Sequence, residues 1–181
     1  MQLRIQTIVA IAFAAISAGC SSISTTHDFN PAVDFDGYKT FSWVTSHPLV
    51  AAPVGTNPLL EDQIEQTARD LLVAKGYRYV DDRTKADFVV GFGLGATDKV
   101  RIDSYPANYR GTWHWPGPSA QQTNVRQFIE GRLTVDIFDV ATEQPAWHGS
   151  ATKNITAKDQ TDSRPAIRVV LTAILAKFPP G

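Results

Sequence analysis

A single cysteine, Cys20, stands where an apolar run ends, and it decides how the rest of the chain must hold itself together. With one thiol no intramolecular disulfide can form, so the fold has to rest on packing. The stretch before Cys20 reads as something other than fold. Arg4 supplies a positive charge, Ile5 to Ile16 is almost wholly apolar, and Ser17-Ala18-Gly19 are small. That order is the pattern of a secretory signal peptide, here residues 1–19. The run is too short to cross a bilayer, which takes about 20 residues. It gives way to Ser21-Ser22-Ile23-Ser24-Thr25-Thr26, which neither caps nor continues a helix.

Ser17-Ala18-Gly19-Cys20 resembles the lipobox of bacterial lipoproteins, with Ser17 where that family most often has Leu. The resemblance implies that Cys20 becomes the first mature residue and carries a diacylglyceryl group on sulfur and an acyl group on its amine. Ser21 after the cysteine, rather than Asp, implies sorting to the outer membrane, facing the periplasm. No other cofactor is expected. One acyl chain anchors only marginally and stable anchoring takes two signals, so two or more chains on one residue suffice. Removing residues 1–19 takes one of the 17 basic residues, Arg4, and none of the 18 acidic ones. The remaining body is slightly acidic, with little electrostatic reason to lie on an anionic membrane. It also lacks the basic field that would recruit nucleic acid.

Beyond a short tether at 20–26, residues 27–181 read as a single α+β domain. Phe35–Val44 joins a turn at Asp36-Gly37 to a β-rich run. Asn57 and Pro58 are a good N-cap and first helical residue. Leu60, Ile64, Ala68, Leu71 and Leu72 then share a helix face, closed by Gly76. Tyr77–Val80 and Ala86–Gly95 read as strands. Val125–Phe138, with Gly131 as a candidate bulge, and Pro145–Ile155 read as an antiparallel hairpin. Asp162 or Ser163 starts a last helix with an apolar stripe from Ile167 to Phe178. The order β-β-α-β-β-loop-β-β-α predicts an antiparallel sheet with two helices packed on one face. Trp43 and Trp147 are expected in the core.

Two features stand out as candidate surfaces. Gly91, Gly93 and Gly95 alternate with Val90, Phe92 and Leu94, so they share one face of a strand. The spacing is not that of a phosphate-binding loop and no helix follows. It predicts a strip that something can approach closely, such as a packed helix, or the wall of a cleft. Residues 103–120, DSYPANYRGTWHWPGPSA, read as an irregular loop whose Tyr105, Tyr109, Trp113, His114 and Trp115 are candidate partner-binding residues. The other reading is that these aromatics fold back over the sheet edge.

Catalytic patterns are missing from the sequence. Gly149-Ser150 lacks the nucleophile elbow. His27, His47, His114 and His148 are scattered without metal-ligand spacing. Asp136 and Asp139 fall on opposite faces of a strand, with Asp136 turned away from the apolar side. Asp28, Asp34 and Asp36 are turn and strand-edge residues.

Several pieces in order, YKTFSW at Tyr38–Trp43, KGY at Lys75–Tyr77, ADFVV at Ala86–Val90, EGRLTVDIFD at Glu130–Asp139, WHGSA at Trp147–Ala151 and AKFPP at Ala176–Pro180, resemble the bacterial lipoproteins of domain-of-unknown-function family 4136. That resemblance implies an envelope lipoprotein with an α+β fold and carries over no catalytic residue. The sequence thus leads to a non-enzymatic module held to the membrane by its lipid, binding another envelope protein or component. A carrier of a lipid or other hydrophobic ligand, and a hydrolase whose site forms only in the fold, are the alternatives.

Overall fold

Two strands pair along their whole length and set the frame. A computed structural model describes residues 23–106 and 121–180, with side chains for 23–100 and 127–180. In it β5 (Phe88–Pro106) and β6 (Gln121–Asp139) run antiparallel from Phe88↔Asp139 to Pro106↔Gln121. Five further strands complete the sheet: β1 (Ser24–Phe29), β2 (Thr40–Trp43), β3 (Leu49–Ala51), β4 (Arg78–Tyr79) and β7 (Pro145–Ile155). Their order is β1-β7-β6-β5-β2-β4, with β3 also paired to β5.

The α+β class is that read from the sequence and the element order roughly matches, with β3 an added strand before the first long helix, but the sheet is mixed. β1, β7, β6 and β5 are antiparallel neighbours, whereas β2 runs parallel to β4 and β5, and β3 parallel to β5. Helix α1 (Pro58–Ala74) is the reason: it lies between β2 and β4 and brings the chain back in its original direction. Asn57 caps α1 by accepting from the Leu59 N–H, Pro58 fills the first position, and Gly76 closes it at φ +100°. At the far end of the chain, α2 (Ala157–Thr161) and α3 (Arg164–Leu175) follow β7. The α2 helix is an addition to the expected order. It is held by a capping box in which Thr156 and Asp159 satisfy each other's backbone.

The helices share one face of the sheet, where α1 packs on α3 and α3 crosses β7, β6 and β1. That face is filled unevenly. At one end Phe178 sits fully buried among Phe35, Tyr77, Phe88 and Trp147, and Trp43 meets Phe41, Tyr79 and Phe92. Trp43 and Trp147 are core residues, 6% and 2% exposed. Toward the other end the β5–β6–β7 positions become Leu94, Ala96, Gly131, Ala151 and Lys153. Large rings fill their end of the layer; small side chains cannot fill theirs.

Four further readings shift. β1 begins at Ser24, inside the stretch read as tether, because it pairs with β7 from Ser24↔Thr152 to Phe29↔Trp147. Residues 103–106 belong to β5, which shortens the loop expected at 103–120, and β6 begins at Gln121 rather than at Val125. Gly131 is in register rather than bulged, and the irregularity lies between Ile137 and Phe138. The glycine strip lies on the face away from the helices, since Phe88, Val90 and Phe92, which alternate with it, are the buried ones.

Candidate functional site

The uneven filling of the helix face leaves a cleft of about 400 Å³ between the middle of the β5–β6–β7 hairpins and helices α1, α2 and α3. Its floor is Leu94, Ala96, Gly131, Leu133 and Ala151; its helical walls are Leu60 and Ile64 from α1 and Ala166, Ile167 and Val170 from α3. Ile129 and Ile155 stand at the open side. Gly131 has a defined part in this geometry: a β-carbon there would lie 2.8 Å from Ile155 Cδ1, so its absence lets Ile155 fold across β6. The size suits a small ligand, and apolar lining with few polar groups is what such sites share.

Arg132, Lys153, Asp159, Gln160 and Ser163 also line the cleft, and the buried one of the two cations, Lys153, is neutralised within the wall. Lys153 is 8% exposed, and its ammonium donates to Asp159 Oδ2 and to the Asn154 carbonyl. Asp159 also accepts from the Thr156 N–H at 2.8 Å and the Thr156 hydroxyl at 2.7 Å. Burial alone would raise the Asp159 carboxyl pKa; the Lys153 ammonium and the two Thr156 donors outweigh it and hold the group down at about 2. The pair ties α2 to β7, so the short helix forms one side of the cleft rather than a free turn. An acyl or other hydrocarbon segment placed here meets mainly aliphatic side chains, and the buried Lys153 charge beside it is compensated.

Of the strip glycines Gly91, Gly93 and Gly95, only Gly95 borders the cleft. Gly91 instead admits Val44, whose Cγ1 would be 3.1 Å from an added β-carbon, and Gly93 faces Thr134. No helix packs on the strip. The glycine that a helix needs is Gly149, where an added β-carbon would lie 2.8 Å from Ile174 Cγ2 on α3 and 2.1 Å from Trp147 Cη2. Sequence reasoning missed it because it is a lone glycine inside a strand. The signal was present: it alternates with Trp147 and Ala151 on the buried side of β7.

The opposite, polar face brings together two residues far apart in sequence. His148 Nδ1 lies 2.6 Å from Asp136 Oδ1, on β7 and β6 respectively, and Asp28 of β1 is the other register neighbour of His148. Asp136 faces away from the core, as its position in the strand implied. Ser150 Oγ is engaged 2.8 Å from Thr26 Oγ1. Among the described residues no hydroxyl bonds to His148, so no nucleophile is assembled on the pair, and no group of three His, Cys, Asp or Glu side chains is placed to hold a metal ion. No described helix is long and apolar enough to cross a membrane.

Cys20, Tyr109, Trp113, His114 and Trp115 lie outside the described residues. Tyr105 falls on β5, opposite Gln122 in the register.

A family model described as a domain of unknown function, DUF4136, matches residues 25–180. Among solved structures, a DUF4136 family protein from Bacteroides thetaiotaomicron is similar at 12% identity and a TM-score of 0.56, over 88% of this chain and 97% of that one. A PDZ domain protein from Parabacteroides distasonis is similar at 14% identity and a TM-score of 0.52, over 97% of this chain and 41% of that one. The PelC dodecamer from Paraburkholderia phytofirmans aligns at 13% identity with a TM-score of 0.49, over 85% of this chain and 95% of that one. At these identities the likeness is one of fold. No curated protein matches the sequence.

Proposed function

The chain belongs to the DUF4136 family, and from that premise we propose that it is a lipid-anchored, non-enzymatic binding protein of the bacterial envelope whose domain shelters an apolar chain in the cleft between its sheet and helices. The cleft is the observation that carries this reading. Its lining is mainly aliphatic, the buried Lys153 in its wall is paired, and its volume falls in the range of about 300–1,000 Å³ typical of small-ligand sites. The signal-peptide pattern and the lipobox-like Ser17-Ala18-Gly19-Cys20 support the anchor and the envelope location.

The test uses the chain from Cys20 onward with Cys20→Ser, so that no acyl group is attached. Every buried core side chain lies between Tyr38 and Phe178, so this body retains its whole core. It should bind the fluorescent fatty acid cis-parinaric acid saturably. Ala166→Phe, which fills the cleft from α3, and Ile129→Glu, which places a charge at its open side, should each weaken binding tenfold or more while leaving the circular dichroism unchanged. Equal binding by all three proteins, or none by the parent, would refute the reading.

A further inference from the structure

The cleft and the start of the fold lie at the same place on the sheet. β1 pairs with β7 so that Ser24 faces Thr152, and the next step of that register sets Ile23 beside Lys153. Ile23 is packed against the hydrophobic core, which puts the chain on the helix side of the sheet as it enters β1. Lys153, with its β7 neighbours Ala151 and Ile155, lines the cleft. Cys20 is three residues before Ile23. Three residues reach at most about 10 Å when extended, so a lipid attached at Cys20 is tethered within that reach of Ile23, whose register neighbour Lys153 lines the cleft.

We infer that the resident occupant of the cleft is an acyl chain carried on Cys20 of the same molecule. The inference rests on the reading that Cys20 is acylated and that the cleft takes an apolar chain; it adds which chain. Two observations favour the attached chain over a free lipid. The first is the short reach from Ile23. The second is that a tethered chain competes at an effective concentration in the millimolar range for a short linker, without a second molecule. The remaining lipid stays in the bilayer, and the body is held with the cleft side toward the membrane and closed to other ligands while the chain is in place.

The experiment uses the full chain expressed with its own leader and recovered in its native membranes. Benzoylphenylalanine is introduced in place of Gln160, at the border of the cleft on α2, and separately in place of the fully exposed Val54. After irradiation, peptides are analysed by mass spectrometry, and the intact mass reports whether Cys20 is acylated. The inference requires an adduct joining the peptide of residue 160 to the acylated N-terminal peptide, absent from the residue 54 protein. With Cys20 acylated, an adduct to phospholipid alone overturns the inference and leaves the cleft reading standing. No lipid adduct at residue 160 overturns both. An unacylated Cys20 removes the anchor, and the inference with it, irrespective of what the cleft binds.

Discussion

A missing β-carbon at residue 149 decides how closely α3 lies on the sheet. Gly149→Ala must push aside the Trp147 ring, the Ile174 methyl, or both, and overpacking of this kind costs about 1–3 kcal/mol. Gly95→Ala meets only Arg132 Cβ at 3.8 Å, an ordinary contact, and should change stability little. Urea unfolding of the two variants side by side checks the contrast; equal midpoints would show that α3 does not need the space. The Lys153–Asp159 pair is a second single-residue lever. Asp159→Ala strands a buried ammonium and should cost about 3–5 kcal/mol, whereas Lys153→Met leaves Asp159 still held by the Thr156 N–H and hydroxyl and should cost less. In the Lys153→Met background, Asp159→Ala should lose only the helix cap, about 1 kcal/mol. The pH dependence has a definite sign. The Asp159 carboxyl is held at about 2 in the fold against about 4 in an unfolded chain. Its contribution is therefore present at neutral pH and lost as pH falls from about 4 toward 2. Lys153→Met should flatten that part of the stability profile, and an unchanged profile would contradict the assignment.

At the scale of elements, the two long strands behave differently along their length. From Phe88 to Gly93 β5 is flanked on both sides, by β6 and by β2 or β3. From Thr97 onward it pairs with β6 alone, and β6 before Ile129 has no other partner. A two-stranded ribbon is marginal by itself. Amides of residues 97–106 should therefore exchange with solvent deuterium far faster than those of 88–93; uniform protection would mean that something covers the ribbon. This is also where the sequence was hardest to read. Thr97, Asp98 and Lys99, all exposed, break the apolar alternation because a solvated ribbon imposes no buried face, so the strand looked finished at Gly95. The short α2 helix escaped for a related reason: five residues carry no helical period, although the Thr156–Asp159 spacing is a capping box in plain view. By contrast α1 and α3 were legible, caps and stripes together, because each presents one long buried face. Trp147 on β7 was legible too. Trp147→Ala should cost about 3–5 kcal/mol in a calorimetric or urea measurement. Trp147→Phe should cost less, since the indole N–H has no partner to lose.

For the whole molecule, the point that follows from the residues is the unequal filling of one layer. Phe41, Phe88, Phe178 and the two core tryptophans close one end, and Ala96, Gly131, Ala151 and Ala166 leave the other open. The individual residues of that open end were visible in the sequence, but their meeting was not, because it depends on a register between β5, β6 and β7 and on where α3 returns. The parallel pairing of β2 with β4 and β5 was hidden for the same reason: neighbours in sequence suggested hairpins, while the α1 crossover sets direction. The measurement that bears most directly on the account is an isotope-filtered NOE experiment on the chain from Cys20 onward, carrying Cys20→Ser, mixed with palmitate. Cross-peaks between the fatty-acid methylenes and the methyl groups of Ile64, Ala151, Ile167 and Val170 are the expected result. Binding with cross-peaks only to other residues, or no cross-peaks at saturating palmitate, would contradict it.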